Sequence, residues 1–495
     1  MAPEDASKIK TPLLSEDEIL RILYLHNPWW AKKPILEAKL KEFKRRDYYK
    51  LVEQLENEKI TAVIGARQVG KTTLMYQLIE KLISEVKPQN VFFLSLDDQY
   101  LNITLQNLGK IFDLYARNII KRPLDELKDR VYFFLDEIQA IDNWELMLKR
   151  WFDLGYKIKF VISGSSSVSI LRGTSEALVG RIQPQVVLPM KFLEYIRFKE
   201  RGETGELVDT AKWDIRDALK HAITENEPDA FYSMISDASK ALSPVKDRIL
   251  VHLQQYFIKG GYPEVAGIDD PVICAENLMN YLHLTMYKDI MRTGKVRDPS
   301  ALENLFAILA KESSQRINRT RLARTLDLKR ETLNTYIYLL KTAFLISEAE
   351  FYSKSRVKRA RREKKVYVND VGIRNVAASA FDDQILTNPS EVGRIVETLV
   401  ADHTKRLQYN LEHRYFPSLF YWRDTYEVDI VIDVFQKPLP LEVKFRETIT
   451  DVDLQGLESF NKKFKSPLSL VITKDYMDMK DSTVFIPAWL YLILC

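Results

Sequence analysis

Cysteine is scarce in this sequence: the chain contains only two, Cys274 and Cys495. Two cysteines so far apart exclude a disulfide framework and a cysteine-based metal centre, and they favour a reducing, intracellular environment. Long apolar runs are also missing, since the longest, Ile486 to Cys495, is about half of what a membrane span requires. The first ten residues lack an apolar core as well. We therefore expect no secretory signal, no membrane contact and a cytoplasmic location.

The sequence has little excess charge of either sign. Its 73 basic and 69 acidic side chains leave a net charge of +4, so nucleic-acid binding can be inferred only from local clusters of basic residues. Hydrophobic residues make up 46% and charged residues 29%, which argues against extensive disorder. The sequence has no internal repeat or low-complexity tract. At 495 residues, we expect several domains.

The pattern of apolar residues predicts five segments. Short apolar runs alternate with amphipathic stretches in the second segment, which predicts a parallel sheet with crossover helices. The runs are Ile60–Ile64, Val91–Leu96, Val131–Leu135, Lys159–Ile162 and Gln185–Leu188. The predicted segments are an N-terminal helical extension at 1–50, this sheet domain at 51–190, a helical lid region at 191–300, a winged-helix segment at 301–368 and a second mixed α/β domain at 369–495.

The N-terminal extension combines an aromatic motif with a basic stretch. Asn27-Pro28-Trp29-Trp30 precedes a group of lysines and arginines between Lys39 and Arg46. We expect these basic residues to form a helix face exposed to solvent, and a contact with DNA or a partner is the alternative.

A phosphate-binding loop is predicted where the first apolar run ends. The letters GARQVGKT, from Gly65 to Thr72, match the eight-residue P-loop pattern between an apolar strand and an amphipathic helix. Glycines let backbone N–H groups close around phosphates, the lysine reaches the β- and γ-phosphates, and the threonine hydroxyl binds Mg²⁺. The predicted ATP contacts are Gly65, Ala66, Arg67, Gln68, Val69, Gly70, Lys71, Thr72 and Thr73.

Two acids follow the third apolar run. Asp136 and Glu137 come directly after Val131–Leu135, which is the form of a Walker B strand. We expect Asp136 to hold Mg²⁺ together with Thr72, and Glu137 to polarise the attacking water. Lys71, Asp136 and Glu137 are therefore predicted to be catalytic.

Polar residues also follow the fourth run. Ser163 and Ser165 are predicted to sense the nucleotide between the ends of the neighbouring strands, and a plain Gly/Ser turn is the alternative. Arg181 precedes the last run and is predicted to stabilise phosphoryl charge, either in cis or as an arginine finger in a neighbouring subunit. The second role requires a homo-oligomer, and a surface arginine is the alternative to both.

A basic cluster follows a predicted pair of helices. Residues 320–325 and 331–342 have the pattern of two short helices joined by a turn, as in a helix-turn-helix. The stretch from Arg356 to Lys365 then contains seven basic residues and one acid, where a wing would lie. This density predicts contacts with several DNA or RNA phosphates, and a solvated basic loop is the alternative.

The motifs GARQVGKTTL, FFLDEIQ, ISGSSS and GR, together with GGYPE at Gly260 to Glu264, give this chain a resemblance to a family of prokaryotic AAA-like ATPases common in archaea. The resemblance covers nearly the whole chain from about residue 50. It implies an ATPase followed by a winged-helix segment and a C-terminal nuclease-like domain.

The last segment contains acids in an order that resembles the PD-(D/E)xK nuclease, or restriction-endonuclease-like, fold. Side-chain alternation places Glu442 and Lys444 on one face of a strand, where Asp429 can join Glu442 around Mg²⁺ or Mn²⁺. Glu397 would complete the metal site from a helix, and Lys444 would orient the nucleophile. We therefore predict Asp429, Glu442 and Lys444 as catalytic and Glu397, Asp429 and Glu442 as metal ligands, and a surface ion pair between Glu442 and Lys444 is the alternative.

These patterns together predict a multidomain α/β protein that hydrolyses ATP. Its nucleotide state would set the geometry of a DNA-binding, metal-dependent nuclease domain that acts in repair, recombination or mobile-element defence. Two alternatives stay open. One is a DNA remodeller or branch-migration motor that does not cleave, and the other is a nucleotide-gated switch that binds a protein partner.

Overall fold

The chain forms two compact units. One consists of Met1–Gly65 and Gly70–Val187, and the other of Ala66–Val69 and Leu188–Cys495. The computed structural model describes residues 14–98, 100–101, 103–165, 178–200, 202–210, 215–412 and 418–495. The predicted fold class is confirmed in its main features, because one unit contains a parallel sheet with helices and the other a separate mixed sheet.

A five-stranded parallel sheet forms the centre of the first unit, in the order β2-β3-β4-β1-β5. Its strands are β1 (Ile60–Gly65), β2 (Val91–Ser95), β3 (Val131–Asp136), β4 (Ile158–Gly164) and β5 (Ile182–Val187). The α-helices described in this unit are α1 (Glu16–His26), α2 (Arg46–Leu55), α3 (Lys71–Glu85), α4 (Leu105–Tyr115) and α5 (Trp144–Asp153). All six residues of β1 are buried, as expected for a parallel strand covered on both faces. Because parallel strands run in one direction, the residues that follow β1, β3 and β4 meet at the same edge.

N-terminal residues cover the edge of this sheet at β2. The Asn27 side chain donates a hydrogen bond to the Phe93 carbonyl at 2.9 Å and accepts one from the Phe93 N–H at 2.6 Å. The indole N–H groups of Trp29 and Trp30 both donate to the Val91 carbonyl, each at 2.9 Å. These bonds satisfy backbone groups that an edge strand would otherwise leave unpaired. The aromatic motif of the extension is therefore part of the core of the first unit.

Over its described residues, the second unit has a nine-stranded mixed sheet in the order β13-β14-β12-β11-β10-β9-β7-β8-β6. The strands are β6 (Arg316–Ile317), β7 (Ile346–Phe351), β8 (Lys364–Val368), β9 (Leu419–Arg423), β10 (Glu427–Val434), β11 (Lys437–Lys444), β12 (Ser469–Thr473), β13 (Asp478–Lys480) and β14 (Thr483–Pro487). Strands β6, β8 and β7 are antiparallel neighbours, and β7 also pairs in parallel with β9. A single sheet thus continues from the segment around 320–368 into the C-terminal strands.

Helices surround this sheet and fill the region before it. They are α6 (Phe192–Lys199), α7 (Glu203–Thr210), α8 (Ile215–Glu225), α9 (Pro228–Leu242), α10 (Lys246–Lys259), α11 (Pro263–Ala266), α12 (Pro271–His283), α13 (Pro299–Lys311), α14 (Arg319–Thr325), α15 (Arg330–Thr342), α16 (Arg356–Arg361), α17 (Val371–Ala377), α18 (Pro389–Glu412), α19 (Asp451–Phe464) and α20 (Ala488–Leu494). The stretch expected to form a wing begins with helix α16 and then becomes strand β8.

The GGYPE motif allows backbones to approach closely in the second unit. A Cβ atom on Gly261 would lie 2.2 Å from the carbonyl oxygen of Met190, and one on Gly260 would lie 2.3 Å from an oxygen of Asp370. The Asp370 carboxylate accepts the N–H of Gly261 at 2.8 Å and also caps α17 through the N–H of Ile373 at 3.0 Å. Because no side chain fits at either position, the two glycines have a structural role here.

Candidate functional site

The loop between β1 and α3 has backbone torsions that suit a phosphate-binding turn. Gln68 and Gly70 have φ of 59° and 95°, and Gly70 directly precedes the first residue of α3. Lys71 is buried, and its ammonium donates a hydrogen bond to the Gly65 carbonyl at 3.2 Å. The start of a helix carries partial positive charge, and together with the buried ammonium of Lys71 it forms a positive environment that suits phosphate groups.

The side chain of Arg67 forms an ion pair within the second unit. Its Nε atom lies 2.7 Å from one oxygen of Asp289, and Nη2 lies 2.6 Å from the other. This two-point contact fixes the plane of the guanidinium. The predicted ATP contacts from Gly65 to Thr73 all stay predictions.

Hydroxyl groups from α3 and β4 hold the two acids that end β3. The Thr72 hydroxyl donates a hydrogen bond to one oxygen of Asp136 at 2.8 Å, and the Ser163 hydroxyl donates to the other. The Ser163 oxygen also accepts the backbone N–H of Glu137 at 3.0 Å. The structure therefore brings these four predicted residues together, because β4 lies between β1 and β3.

Glu137 is held in an unusual backbone conformation. Its φ is 55°, in the left-handed region, where non-glycine residues are uncommon and are often functional. The Gln139 amide donates hydrogen bonds to the Glu137 carboxylate and, at 3.2 Å, to the Ser165 hydroxyl. Gln139 is not among the residues predicted from the sequence. Its position two residues after Glu137 could have indicated that its amide lies near the Glu137 carboxylate. Ser165 is thus connected to the site through Gln139.

The pKa of Asp136 is raised above its ordinary value. Burial is the main cause and the nearby Glu137 carboxylate adds to it, whereas hydrogen bonds from Ser163 and Thr72 and the charge of Lys71 act in the opposite direction. Carboxylate and hydroxyl oxygens are the ligands that Mg²⁺ prefers, and Mg²⁺ commonly uses one or two protein groups together with substrate phosphates. The Thr72 hydroxyl and the Asp136 carboxylate, 2.8 Å apart, fit such an ion.

Lys39 belongs to the electrostatic environment of Asp136. Its ammonium donates a hydrogen bond to the Tyr76 hydroxyl at 2.9 Å and lies 4.9 Å from the centre of the Tyr76 ring. Burial lowers the pKa of Lys39, and the charge of Asp136 acts in the opposite direction. Lys39 is exposed, as expected for the basic residues of the extension, and its ammonium also contacts Tyr76 of helix α3.

Arg181 lies at the end of the sheet where the parallel strands begin, whereas the phosphate-binding loop lies at the end where β1 finishes. Its carbonyl accepts the N–H of Ile60, the first residue of β1, at 2.8 Å. Gly65, at the other end of β1, is about 16 Å away at the usual rise of a parallel strand. The guanidinium of Arg181 instead pairs with Asp153 at 2.7 Å. The predicted cis contact with the γ-phosphate is not made in this arrangement, and the role in a neighbouring subunit stays a prediction.

In the second unit, Lys365 lies among the acids of the C-terminal segment. It is only 2% exposed, and its ammonium lies 2.8 Å from Glu427, 3.0 Å from Glu397 and 3.4 Å from Asp429. The Tyr367 hydroxyl also donates a hydrogen bond to Glu397 at 3.0 Å. The prediction that Lys365 contacts phosphates is wrong here, because the alternation of strand β8 turns its side chain inward.

Glu442 and Lys444 lie next to these acids on β11. The Lys444 ammonium pairs with the Glu442 carboxylate, and an oxygen of Asp429 accepts the N–H of Val443 at 3.0 Å. Burial, followed by the charge of Asp429, raises the pKa of Glu442 to about 8. We use the name carboxylate cluster for Glu397, Glu427, Asp429, Glu442, Lys365 and Lys444.

The carboxylate cluster does not fit a metal ion in this arrangement. Within the ranges that the structure describes, no group of three or more acidic, histidine or cysteine side chains could hold one. The Lys365 ammonium lies between Glu397 and Asp429, and the Lys444 ammonium pairs with Glu442. Strand alternation predicted that Asp429 and Glu442 lie close together, and helix α18 adds Glu397. Alternation could not reveal that a lysine from another strand compensates these acids.

The turn between α14 and α15 is basic. Four exposed side chains surround it, and none of them pairs with an acid in the described part of the chain: Arg321, Arg324, Lys329 and Arg330. Helix α16 carries further exposed basic residues, whereas Lys364 pairs with Glu350 at 2.9 Å. Exposed basic side chains that could contact phosphates are therefore present in the turn and on α16. Fewer of the seven basic residues between Arg356 and Lys365 can do so than the composition of that stretch suggests.

Three family models match separate parts of the chain. Residues 57–196 match a family described as an AAA domain. Residues 250–384 and 392–491 match two families described as domains of unknown function, DUF8612 and DUF4143. The first match contains the phosphate-binding loop and the acids that end β3.

The chain is also similar to uncharacterized proteins. It is 26% identical over 415 residues to MJ1544 of Methanocaldococcus jannaschii, which covers 82% of this chain and 80% of that protein. It is 21% identical over 334 residues to a protein of Haemophilus influenzae, with 66% of this chain and 71% of that protein covered.

Two solved structures align at low similarity. The Aeropyrum pernix ORC1 protein in complex with DNA has a TM-score of 0.29 and 10% identity, over 67% of this chain and 91% of that chain. The Bacillus subtilis DNA clamp loader delta protein has a TM-score of 0.24 and 11% identity, over 70% of this chain and 98% of that chain.

No helix among the described residues is long and apolar enough to cross a membrane.

The AAA domain match coincides with the parallel sheet, the phosphate-binding loop and the bonded pair of Thr72 and Asp136. Residues 57–196 of this chain therefore form an AAA-like domain with a P-loop.

Proposed function

We propose that this chain is a Mg²⁺-dependent ATPase whose second unit binds DNA. The observation that carries the ATPase proposal is the hydrogen-bonded group of Thr72, Asp136 and Ser163 beside the phosphate-binding loop. Buried hydroxyl and carboxylate oxygens placed next to a buried lysine suit a nucleoside triphosphate with its metal ion.

Each of these residues has a distinct task in the proposed reaction. Thr72 and Asp136 would hold Mg²⁺, which neutralises charge on the phosphate oxygens when it is bound. Lys71 would exchange its hydrogen bond to the Gly65 carbonyl for the β- and γ-phosphates. Glu137 would orient a water molecule and accept its proton. Ser163 would position the Asp136 carboxylate and the Glu137 backbone, and Gln139 would position the Glu137 carboxylate.

Steady-state ATP turnover and calorimetric ATP binding by the full chain test this proposal. Lys71→Ala should remove both turnover and tight binding, because it deletes the cation that contacts the phosphates. Glu137→Gln should remove turnover and keep ATP binding, because the amide cannot accept a proton. Glu126→Gln makes the same substitution at an exposed position and should behave like the wild type. Normal turnover by Glu137→Gln would exclude its role as the base.

The four helices and three strands between Pro299 and Val368 support the DNA-binding part of the proposal. Helices α14 and α15 are joined by the exposed basic turn, and strands β6, β8 and β7 pair antiparallel beside them. We interpret this arrangement as a winged helix in which helix α16 replaces part of the wing. Exposed arginines and lysines without acidic partners would contact phosphates, so binding should weaken steeply with salt.

A panel of single-stranded, duplex, forked and four-way DNA, each with and without ATP, tests this part. Binding that weakens with added salt is the expected result. Strand movement driven by ATP without cleavage would favour a remodeller, and no DNA binding at low salt would favour a nucleotide-gated switch with a protein partner.

A second candidate function is phosphodiester hydrolysis by a restriction-endonuclease-like C-terminal domain. It is favoured by the proximity of Glu397, Asp429, Glu442 and Lys444. It requires Lys365 and Lys444 to release these carboxylates, because the carboxylate cluster fits no metal ion while the two ammonium groups pair with them. A nicking assay with Mg²⁺ or Mn²⁺ should lose all activity with Asp429→Asn. Asp433→Asn is the matched control on the same strand, where the carboxylate bonds to the Tyr352 hydroxyl instead of the carboxylate cluster. Equal nicking by both variants, or none by the wild type, would exclude this function.

A further inference from the structure

We propose that an arginine-lined pocket in the second unit binds a backbone phosphate of a nucleic-acid strand. The pocket has a volume of about 340 Å³ and opens beside strands β6 and β9 and the end of helix α16. We call it the arginine pocket, and its basic lining residues are Arg316, Arg361, Arg362 and Arg423. This inference rests on the DNA binding proposed above and names the place where a strand is held.

Two of these arginines have no acid to neutralise them. Among the described residues, no carboxylate pairs with Arg361 or Arg362, although Glu363 and Asp424 also line the pocket. Both arginines are exposed, and the Arg362 guanidinium lies 5.3 Å from the centre of the Phe351 ring. A guanidinium stacked on a ring is held in one plane and keeps its N–H edge available for an anion.

The other two arginines share one carboxylate. Arg316 lies 3.5 Å and Arg423 3.9 Å from Glu427, which also pairs with Lys365 at 2.8 Å. Counting Glu427, three acids lie at the pocket, the others being Glu363 and Asp424, so its four arginines leave an excess of one positive charge. Planar guanidinium groups match the oxygens of a phosphate two at a time, which makes phosphate the favoured ligand group.

The lining also argues against a base as the bound group. Phe351 and Tyr421 are only 5% and 2% exposed, so their rings support the arginines and offer little surface on which a base could stack. The volume is several times the roughly 30 Å³ that one water molecule occupies in the liquid, so the pocket has room for a phosphate with its sugar.

The position of the arginine pocket favours a strand over a free anion. Glu427 belongs to the carboxylate cluster and also contacts Arg316 and Arg423 of the pocket. A phosphate held by the arginines would therefore place the neighbouring nucleotides of the same strand near Asp429 and Lys365. The arginine pocket would act as the anchor that positions a strand at the carboxylate cluster.

Fluorescence anisotropy of the full chain with a labelled single-stranded oligonucleotide tests the proposal. The double variant Arg361→Gln/Arg362→Gln should bind about tenfold more weakly, since it loses charge-assisted hydrogen bonds. The slope of log affinity against log salt should fall by about 0.7 for each phosphate that the variant no longer neutralises. Arg361→Lys/Arg362→Lys keeps the charge without the planar fork and should recover only part of the affinity.

The matched control is Arg292→Gln/Arg297→Gln, which removes two exposed arginines of the same unit outside the arginine pocket. This control should bind within about threefold of the wild type, because scattered surface charge contributes little at moderate salt. If both glutamine variants weaken binding equally, the pocket proposal is overturned while DNA binding by the second unit stands. If the wild type binds no oligonucleotide at low salt, the proposed DNA binding itself is overturned.

Competition separates a strand from a free anion. Inorganic phosphate and a deoxynucleoside monophosphate should displace the oligonucleotide poorly, because each offers one phosphate and none of the strand beyond the pocket. Displacement by inorganic phosphate as effective as by unlabelled oligonucleotide would overturn the proposal in favour of a small-anion site. Matching unfolding temperatures for all variants would show that the differences come from binding.

Discussion

Replacing Lys365 by glutamine tests whether its ammonium compensates the carboxylate cluster. Burial alone would lower the pKa of Lys365, but the surrounding acids, Glu397 first, raise it well above its ordinary value. The ammonium is therefore charged at neutral pH. Its three carboxylate neighbours, at 2.8 to 3.4 Å, would be left without their shared cation in the variant. Removing one partner of a buried ion pair typically costs about 3–5 kcal/mol, and we expect a loss of this size in the second unit.

Thermal unfolding of the full chain, read as the apparent transition of the second unit, measures this loss. Lys364→Gln is the control, because it makes the same change one residue earlier, where the ammonium pairs with Glu350 at 2.9 Å and the side chain is 25% exposed. Lys364 also lies 3.6 Å from Glu348, which keeps Arg319 and Lys341 as partners in this variant. A pair of this kind contributes less than about 1 kcal/mol. Lys365→Gln should therefore unfold at a clearly lower temperature than Lys364→Gln, and equal transitions would refute the reasoning.

The pH dependence of Lys365→Gln gives a second measurement. Carboxyl groups that lose their cation have a folded pKa above the unfolded value, so their contribution to stability is present at low pH and is lost as the pH rises through the folded pKa. Burial already raises the pKa of Glu397 to about 7 with the ammonium in place. The variant should therefore regain stability relative to the wild type as the pH falls from about 8 to about 5. A constant difference across this range would contradict the assignment.

Three further predictions concern the two units. Asn27→Ala should destabilise the first unit by about 2 kcal/mol in chemical denaturation, because it leaves the N–H and carbonyl of Phe93 unpaired at the edge strand. Gly261→Ala should cost about 3 kcal/mol or more by the same measurement, since its Cβ would lie 2.2 Å from the Met190 oxygen, whereas Gly267→Ala, whose Cβ meets nothing closer than 3.4 Å, should cost little. Burial raises the pKa of Asp370 from 3.8 to about 6, so stability present at low pH is lost as the pH rises through about 6. Asp370→Asn should flatten this part of the profile of unfolding temperature against pH, and an unchanged profile would exclude Asp370 as its source.

The parallel sheet and the elements of the phosphate-binding site could be predicted because their signals are local. Strand β1 and helix α3 could be predicted from two adjacent stretches of sequence, an apolar run and an amphipathic segment. The acids Asp136 and Glu137 follow an apolar run of the usual length for a strand. Ser163 was predictable once β4 was expected to lie between β1 and β3. Gln139 was within reach of the same reasoning, because it lies two residues beyond Glu137.

Other residues depended on contacts between distant parts of the chain. The apolar periodicity did not predict that Asn27, Trp29 and Trp30 form hydrogen bonds with strand β2. Their partners in β2 lie 61 to 66 residues later in the chain. Nor could it place Arg181 at the start of β1, since that position follows from strand order and direction. From composition alone, Lys365 could not be distinguished from the other six basic residues between Arg356 and Lys365. In the structure it is buried among acids, where it pairs with Glu427.

The sequence by itself determined the phosphate-binding loop, the acids beside it and the alternation that groups Asp429, Glu442 and Lys444, because glycine torsions, helix starts and strand periodicity are properties of short segments. Only the tertiary structure decided which charges compensate one another. Lys365 lies 64 residues from Asp429 in the chain, and strand pairing in the shared sheet brings the two side chains within 3.4 Å. Coulomb interactions depend on distance in space and on burial, and neither can be read from the order of residues.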